Sequence, residues 1–167
     1  MNIFPKFSIY MPMVNGCALT ELTLESLLKN LGTEFHKCIL ISSGTTEKSL
    51  LILLNKIHKE GFRYWPKEKF TILMFDQEHA LGVSESFNLA LSLLDQDEDL
   101  FFVPNNTLFG RNFFLPLLEE AYFKPYSDDV FAVCSQSPLI QQDVLQEYET
   151  DVRFLFLSGV SAHQGQI

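Results

Sequence analysis

The chain has 167 residues, 47% of them hydrophobic and 20% charged. That is ordinary globular usage, and the length buries a core without disulfides or a structural metal, so disorder, collagen-like repeats and a coiled coil are excluded. The net charge is −9 and uneven, +3 over residues 1–75 and −12 over residues 76–167; an acidic balance of this kind argues against nucleic acid, whose phosphates need a Lys/Arg surface.

In chain order, short apolar runs alternate with helical patterns. Residues 8–11 read as a first strand, followed by Leu24, Leu27, Leu28 and Leu31 at i, i+3, i+4, i+7, with Gly32 as a C-cap. Residues 38–41 read as a second strand, followed by Leu50, Leu53, Leu54 and Ile57, with Thr46 as N-cap and Gly61 closing. Residues 72–75 read as a third strand, followed by Phe87, Ala90, Leu91 and Leu94. An acidic surface turn at 95–99 leads to a fourth strand at 100–103, then a helix through Phe114, Leu117, Leu118 and Ala121. Two later runs, 130–134 and 153–157, complete the strands. The first four read as strands buried on both faces. The alternation predicts a three-layer α/β/α domain with a mainly parallel sheet and right-handed crossovers. No run approaches the roughly 18 apolar residues of a membrane span. Residues 1–6 lack the basic head and apolar stretch of a signal peptide, which points to the cytoplasm.

In open α/β sheets the ligand sits at the carboxyl ends of the strands. Four segments fall there: Pro12-Met13-Val14-Asn15, Ser42-Ser43-Gly44-Thr45-Thr46-Glu47, Ala80 through Asn88, and Pro104-Asn105-Asn106-Thr107. Pro12 reads as ending the pairing of the first strand. No Walker loop, GxGxxG or hydrolase triad is present. Cys17, Cys38 and Cys134 form no CxxC and no Cys/His cluster and read as reduced thiols, and His79 reads as a lone structural histidine. Lys56, Lys59, Arg63, Lys67 and Lys69 form a basic run, read either as a solvated helix end or as a contact with an anionic membrane surface at its inner face. Glu147, Glu149 and Asp151 read as a solvated acidic turn, and the sequon at Asn105 as chance.

Taken in order, the four segments resemble the nucleotide-sugar half of the GT-A fold, as in glycosyltransferase family 2. That family opens with P-T-Y-N, here Pro12-Met13-Val14-Asn15, and a T-L-E-S-L-L helix that Thr23-Leu24-Glu25-Ser26-Leu27-Leu28 matches letter for letter. Its V-D-D-G-S-T-D falls on residues 41–47, its N-x-G-x-x-x-A-x-N on residues 80–88, and its D-x-D or N-x-D-T on residues 104–107. The resemblance covers about residues 7–135. It implies a donor nucleotide across Pro12, Asn15, Ser42, Ser43, Gly82, Asn88, Asn105 and Asn106, with Mn or Mg as the family's cofactor and Asn106 at the usual metal-ligand position.

The departures concern charge. Both Asp positions of the second motif are serine, Ser42 and Ser43, and the D-x-D stretch has no carboxylate. Magnesium and manganese favour carboxylate oxygens. The resemblance also implies a second half that carries the acceptor site and a carboxylate base, which residues 1–167, read as a single GT-A-like domain, do not supply. Two readings stay open. One is a glycosyltransferase, or its donor-binding half, that takes a nucleotide-diphospho-sugar. The other is a catalytically inactive GT-A-like scaffold that binds a protein partner.

Overall fold

A computed structural model describes residues 6–111, 113–114, 132–135 and 154–157. The chain runs β1 (Phe7–Met13), α1 (Cys17–Asn30), β2 (Cys38–Ser43), α2 (Lys48–Glu60), a 3-10 turn at Lys67–Lys69, β3 (Phe70–Phe75), α3 (Val83–Ser92), β4 (Asp99–Phe102), β5 (Ala132–Ser135) and β6 (Phe154–Leu157). The sheet order is β3-β2-β1-β4-β6-β5. β3, β2, β1 and β4 are parallel, and β6 runs antiparallel between β4 and β5.

The alternation along the strands assigns the layers. Ile9, Met11, Cys38, Leu40 and Phe101 share one core with Leu24, Leu27 and Leu28 of α1 and Leu50, Leu54 and Ile57 of α2. Tyr10, Ile39, Ile41 and Leu100 face the other way, onto Phe87, Ala90 and Leu91 of α3. Each fully buried leucine contributes about 1.5–3 kcal/mol of transfer free energy. The predicted three-layer arrangement with a mainly parallel sheet is therefore present. The helix expected after Phe114 lies outside the described residues.

Several details differ from the sequence reading. β1 continues through Pro12, which pairs in register with Ile41. Pairing with β4 has ended at Tyr10, so one flank of β1 is free where the proline stands. β2 likewise runs on through Ser42 and Ser43, because β3 pairs with it as far as Phe75. β3 is not buried on both faces; it is the sheet edge, and most of its residues are half-buried. The N-cap of α2 is Glu47 rather than Thr46. Gly61 does close α2: its N–H reaches the carbonyl of Ile57, and its φ of 83° with ψ of −166° is a backbone conformation essentially reserved for glycine.

The 95–99 segment is not simply a surface turn. Glu98 and Asp99 are buried. Glu98 accepts hydrogen bonds from the Ser8 hydroxyl and from the backbone N–H of Asp95, and His36 Nδ1 lies 2.9 Å from its Oε1. Lys6 pairs with Asp95 beside it. This cluster ties the strand starts together at the amino end of the sheet. Cys38 is buried in the core and its thiol is pushed up by desolvation, which suits a reduced, unreactive cysteine. No described helix is long and apolar enough to cross a membrane.

Candidate functional site

The carboxyl ends of β1 and β2 and the start of α3 enclose a pocket of about 300 Å³. Its wall includes Pro12, Asn15, Ser43, Gly82, Ser86 and Asn105. Five of the sequence-predicted site residues therefore meet in one cavity. No charged side chain lines it.

The other three lie elsewhere. Ser42 points to the opposite face of β2 from Ser43, is fully buried, and its hydroxyl has no hydrogen-bond partner. The two-residue period of a strand forces that separation. Asn88 lines a neighbouring hollow of about 330 Å³ with Tyr10, Phe87 and Phe102. Asn106 is exposed beyond the pocket wall.

Within the pocket, most of the predicted binding groups lace the loops together. Asn15 Oδ1 accepts from the Thr45 hydroxyl at 2.8 Å and from the Thr46 N–H at 3.2 Å. The Ser43 hydroxyl donates to the carbonyl of Leu81 and accepts from its N–H, at 3.0 and 2.6 Å. Asn105 Nδ2 donates to the carbonyl of Asn15 and to the Thr20 hydroxyl, both at 2.9 Å. A backbone carbonyl can only accept, so the amide nitrogen of Asn105 must face it and the side-chain orientation is fixed. That leaves Asn15 Nδ2 and Asn105 Oδ1 without protein partners among the described residues.

Sequence reasoning missed two supports of this site. The first is Glu47. Its carboxylate accepts the N–H groups of Gly16 at 2.5 Å and Cys17 at 3.1 Å, satisfying donors at the start of α1. These bonds, Gly16 first and then the Ser49 hydroxyl, hold its pKa below the ordinary carboxylate value. Gly16 sits at φ 98°, so the backbone favours glycine, although a Cβ there would meet Asn105 Nδ2 only at an ordinary contact distance of 3.5 Å. The signal was the acidic residue at the end of the second motif. The second is a row of polar side chains on α1. Thr20, Thr23, Ser26 and Asn30 each hydrogen-bond the 105–109 segment. The letter-for-letter T-L-E-S match was the signal for Thr23 and Ser26.

His79 is not alone, because its ring Nδ1 lies 2.8 Å from Asp76 Oδ1 and its backbone N–H donates to the same oxygen. The ring contact leads the lowering of the Asp76 pKa. Both groups are exposed and neither lines the pocket.

The D-x-D stretch does not fit a divalent cation. Pro104 offers no side-chain ligand atom, and Asn105, whose Nδ2 is engaged, and Asn106 offer only neutral amide oxygens where hard cations favour carboxylates. Among the described residues, one group of His, Asp and Glu lies close enough to share an ion: His36, Asp95 and Glu98. It stands at the opposite end of the sheet, with Glu98 and Asp95 already partnered as described above.

No protein-family model matches the chain, and no curated protein matches it. Solved structures do. A mannosyltransferase from Pyrobaculum calidifontis, in complex with GDP-Man and Mn2+, superposes with a TM-score of 0.65 at 14% identity, over 98% of this chain and 48% of its own. GalNAc-T7 with UDP, GalNAc and Mn2+ gives 0.60 at 11%, over 93% and 35%. The chain has a GT-A-like fold. It spans about half, or less, of the length of these glycosyltransferases. A 4-diphosphocytidyl-2C-methyl-D-erythritol synthase from Anaerococcus prevotii is also similar, with a TM-score of 0.54 at 14% identity over 97% of this chain and 78% of its own. One fold thus carries more than one reaction.

Proposed function

We propose that this GT-A-like chain binds a nucleotide-diphospho-sugar at the carboxyl ends of β1 and β2, as the donor-binding half of a glycosyltransferase. The observation that carries the reading is the 300 Å³ pocket where Pro12, Asn15, Ser43, Gly82 and Asn105 converge. Its place at the strand ends is where open α/β sheets hold ligands. The similar glycosyltransferases are described with GDP-Man or UDP, which agrees with a nucleotide ligand. The pocket wall contains no carboxylate, so a base for sugar transfer would come from another segment or another chain. Titration with UDP, GDP, CDP and dTDP by calorimetry tests the proposal. Saturable binding of one of them, weakened in Asn15→Ala, is the expected result. Absence of binding to all four would overturn it.

A second reading, a non-catalytic partner-binding module, is favoured by the serines at 42 and 43 and by Pro104 and Asn106, which leave Glu47 as the one carboxylate at the acidic positions of the second motif and the D-x-D stretch. Glu47 itself caps α1. Release of sugar from a bound donor, lost in Asn15→Ala, would exclude this reading.

The proposal also places the chain in the cytoplasm at a membrane surface. Support comes from the turn after α2. Phe62 and Trp65 hydrogen-bond each other's backbone at 3.0 and 2.9 Å, which holds Arg63 and Tyr64 at a tight tip. Arg63 adopts φ 56° and Tyr64 is 99% exposed. Lys56, Lys59 and Lys67, which precede and follow this tip in sequence, are exposed. Aromatic and basic side chains together suit an anionic lipid interface.

A further inference from the structure

We infer that the pocket takes its nucleotide without a divalent cation and recognises chiefly the nucleoside, an inference that rests on the nucleotide-binding reading above. Four observations carry it.

The first is Asn105. Its two N–H groups meet the Asn15 carbonyl and the Thr20 hydroxyl, which pins the D-x-D segment to the first loop and to α1. A carboxylate at 105 could donate neither bond and would face the carbonyl oxygen directly. The segment is built around an amide. The second is the pair beside it. Pro104 has no side-chain ligand atom, and Asn105 Oδ1 and the exposed Asn106 offer only neutral amide oxygens, too little for a cation that must give up part of a tightly held water shell.

The third is the pocket wall. It holds no Lys, Arg or His to balance a diphosphate in place of the cation. The fourth is the state of the two helix starts at the rim. Glu47 already occupies the first N–H groups of α1, and Glu85 Oε2 accepts the Gly82 N–H at the start of α3 at 2.8 Å. Helix N-termini are the usual backbone site for phosphate, and here each carries a carboxylate. The unengaged polar groups of the wall, Asn15 Nδ2 and Asn105 Oδ1, are neutral and suit the hydroxyls and base edges of a nucleoside.

The experiment is calorimetric titration of the chain with UDP, GDP, CDP and dTDP, and with uridine, guanosine, cytidine and thymidine, in EDTA and in Mn2+. The diphosphate that binds is expected to keep its Kd within about threefold between the two buffers, and its nucleoside to bind within about tenfold of it. Tightening by more than about tenfold in Mn2+, abolished by Asn106→Ala, would overturn the inference. Absence of binding to every diphosphate and nucleoside overturns the nucleotide reading instead. The cation part is then decided by Mn2+ alone, monitored by its electron paramagnetic resonance. No bound Mn2+ that depends on Asn106 supports it, and an Mn2+ site lost in Asn106→Ala refutes it. Asn105→Asp gives a readout free of ligand: a lowered Tm with no new Mn2+ site is expected, and an unchanged Tm with Mn2+ bound would refute the amide latch.

Discussion

The backbone N–H of Thr107 donates to the hydroxyl of Thr23 at 3.0 Å, in a buried contact between residues 84 apart in sequence. It is one rung of a ladder. Thr20 receives Asn105, Ser26 receives the Phe109 N–H at 3.1 Å, and Asn30 donates to the Phe109 carbonyl at 3.0 Å. α1 thus serves as a polar rail for the segment that forms one wall of the pocket. Thr23→Val removes the acceptor but keeps the shape, leaving a buried N–H unpaired. The expected loss is about 1–3 kcal/mol in denaturant unfolding, with Thr23→Ser close to the parent. A Thr23→Val chain as stable as the parent would mean that the rung contributes nothing.

Glu47 links the second loop to the start of α1, and its pKa is lowered chiefly by the Gly16 N–H. A depressed folded-state pKa gives stability that is complete above the unfolded carboxylate range, near pH ~4.3, and is lost as pH falls through the folded value. Glu47→Gln should therefore lower Tm at pH 7, and the difference from the parent should shrink as pH falls below ~4. Thermal unfolding across that range checks it. A gap that stays constant with pH would show that the charge plays no part.

The layers and the mainly parallel pairing were largely legible because apolar period and the alternation of strand with helix decide them. Leu24, Leu27 and Leu28 can only face a sheet, and strands alternating with helices can only pair in parallel through crossovers. What the sequence hid was set by pairing across long separations. Glu98 reads as one acid in an acidic stretch, yet Ser8 and His36, 90 and 62 residues away, make it a buried acceptor. Ser42 and Ser43 look equivalent until β3 extends the ladder to Phe75, after which one serine faces the pocket side and the other the core. That Asn15, Ser43 and Asn105 fall at neighbouring strand ends was legible, but their hydrogen-bond partners lie on other loops and on α1, which no local pattern announces.

Gly61 stops α2 and opens the turn that carries Tyr64. A Cβ built there lies 2.2 Å from the carbonyl oxygen of Trp65 and 2.8 Å from the Lys67 nitrogen. Both are backbone atoms and cannot swing aside. The backbone conformation alone costs a non-glycine residue about 1–3 kcal/mol. Gly61→Ala should therefore destabilise the chain by at least that amount in denaturant unfolding, whereas Gly32→Ala, with open space around its Cβ, should lose less. Equal losses for the two would show that the contact with Trp65 is relieved at no cost.

The Arg63–Tyr64 tip yields the last prediction. In a chain of net charge −9, repulsion from an anionic bilayer is the default, so binding requires a local patch that faces the lipid. Lys56, Lys59 and Lys67 are exposed and make no ion pair among the described residues, while Arg63 is paired with Glu25 at 2.9 Å. Each free cation near an anionic surface contributes about 1 kcal/mol, and the Debye length of about 8 Å at physiological ionic strength confines that gain to groups close to the bilayer. Vesicles of phosphatidylcholine with phosphatidylglycerol should therefore sediment with the chain at low salt and release it as salt rises, and pure phosphatidylcholine vesicles should not bind it. Reversing Lys56, Lys59 and Lys67 to glutamate should abolish the binding, and Tyr64→Ala should weaken it without changing its salt dependence, because the ring adds apolar contact rather than charge. Binding that persists in the triple charge reversal would place the lipid contact elsewhere on the molecule.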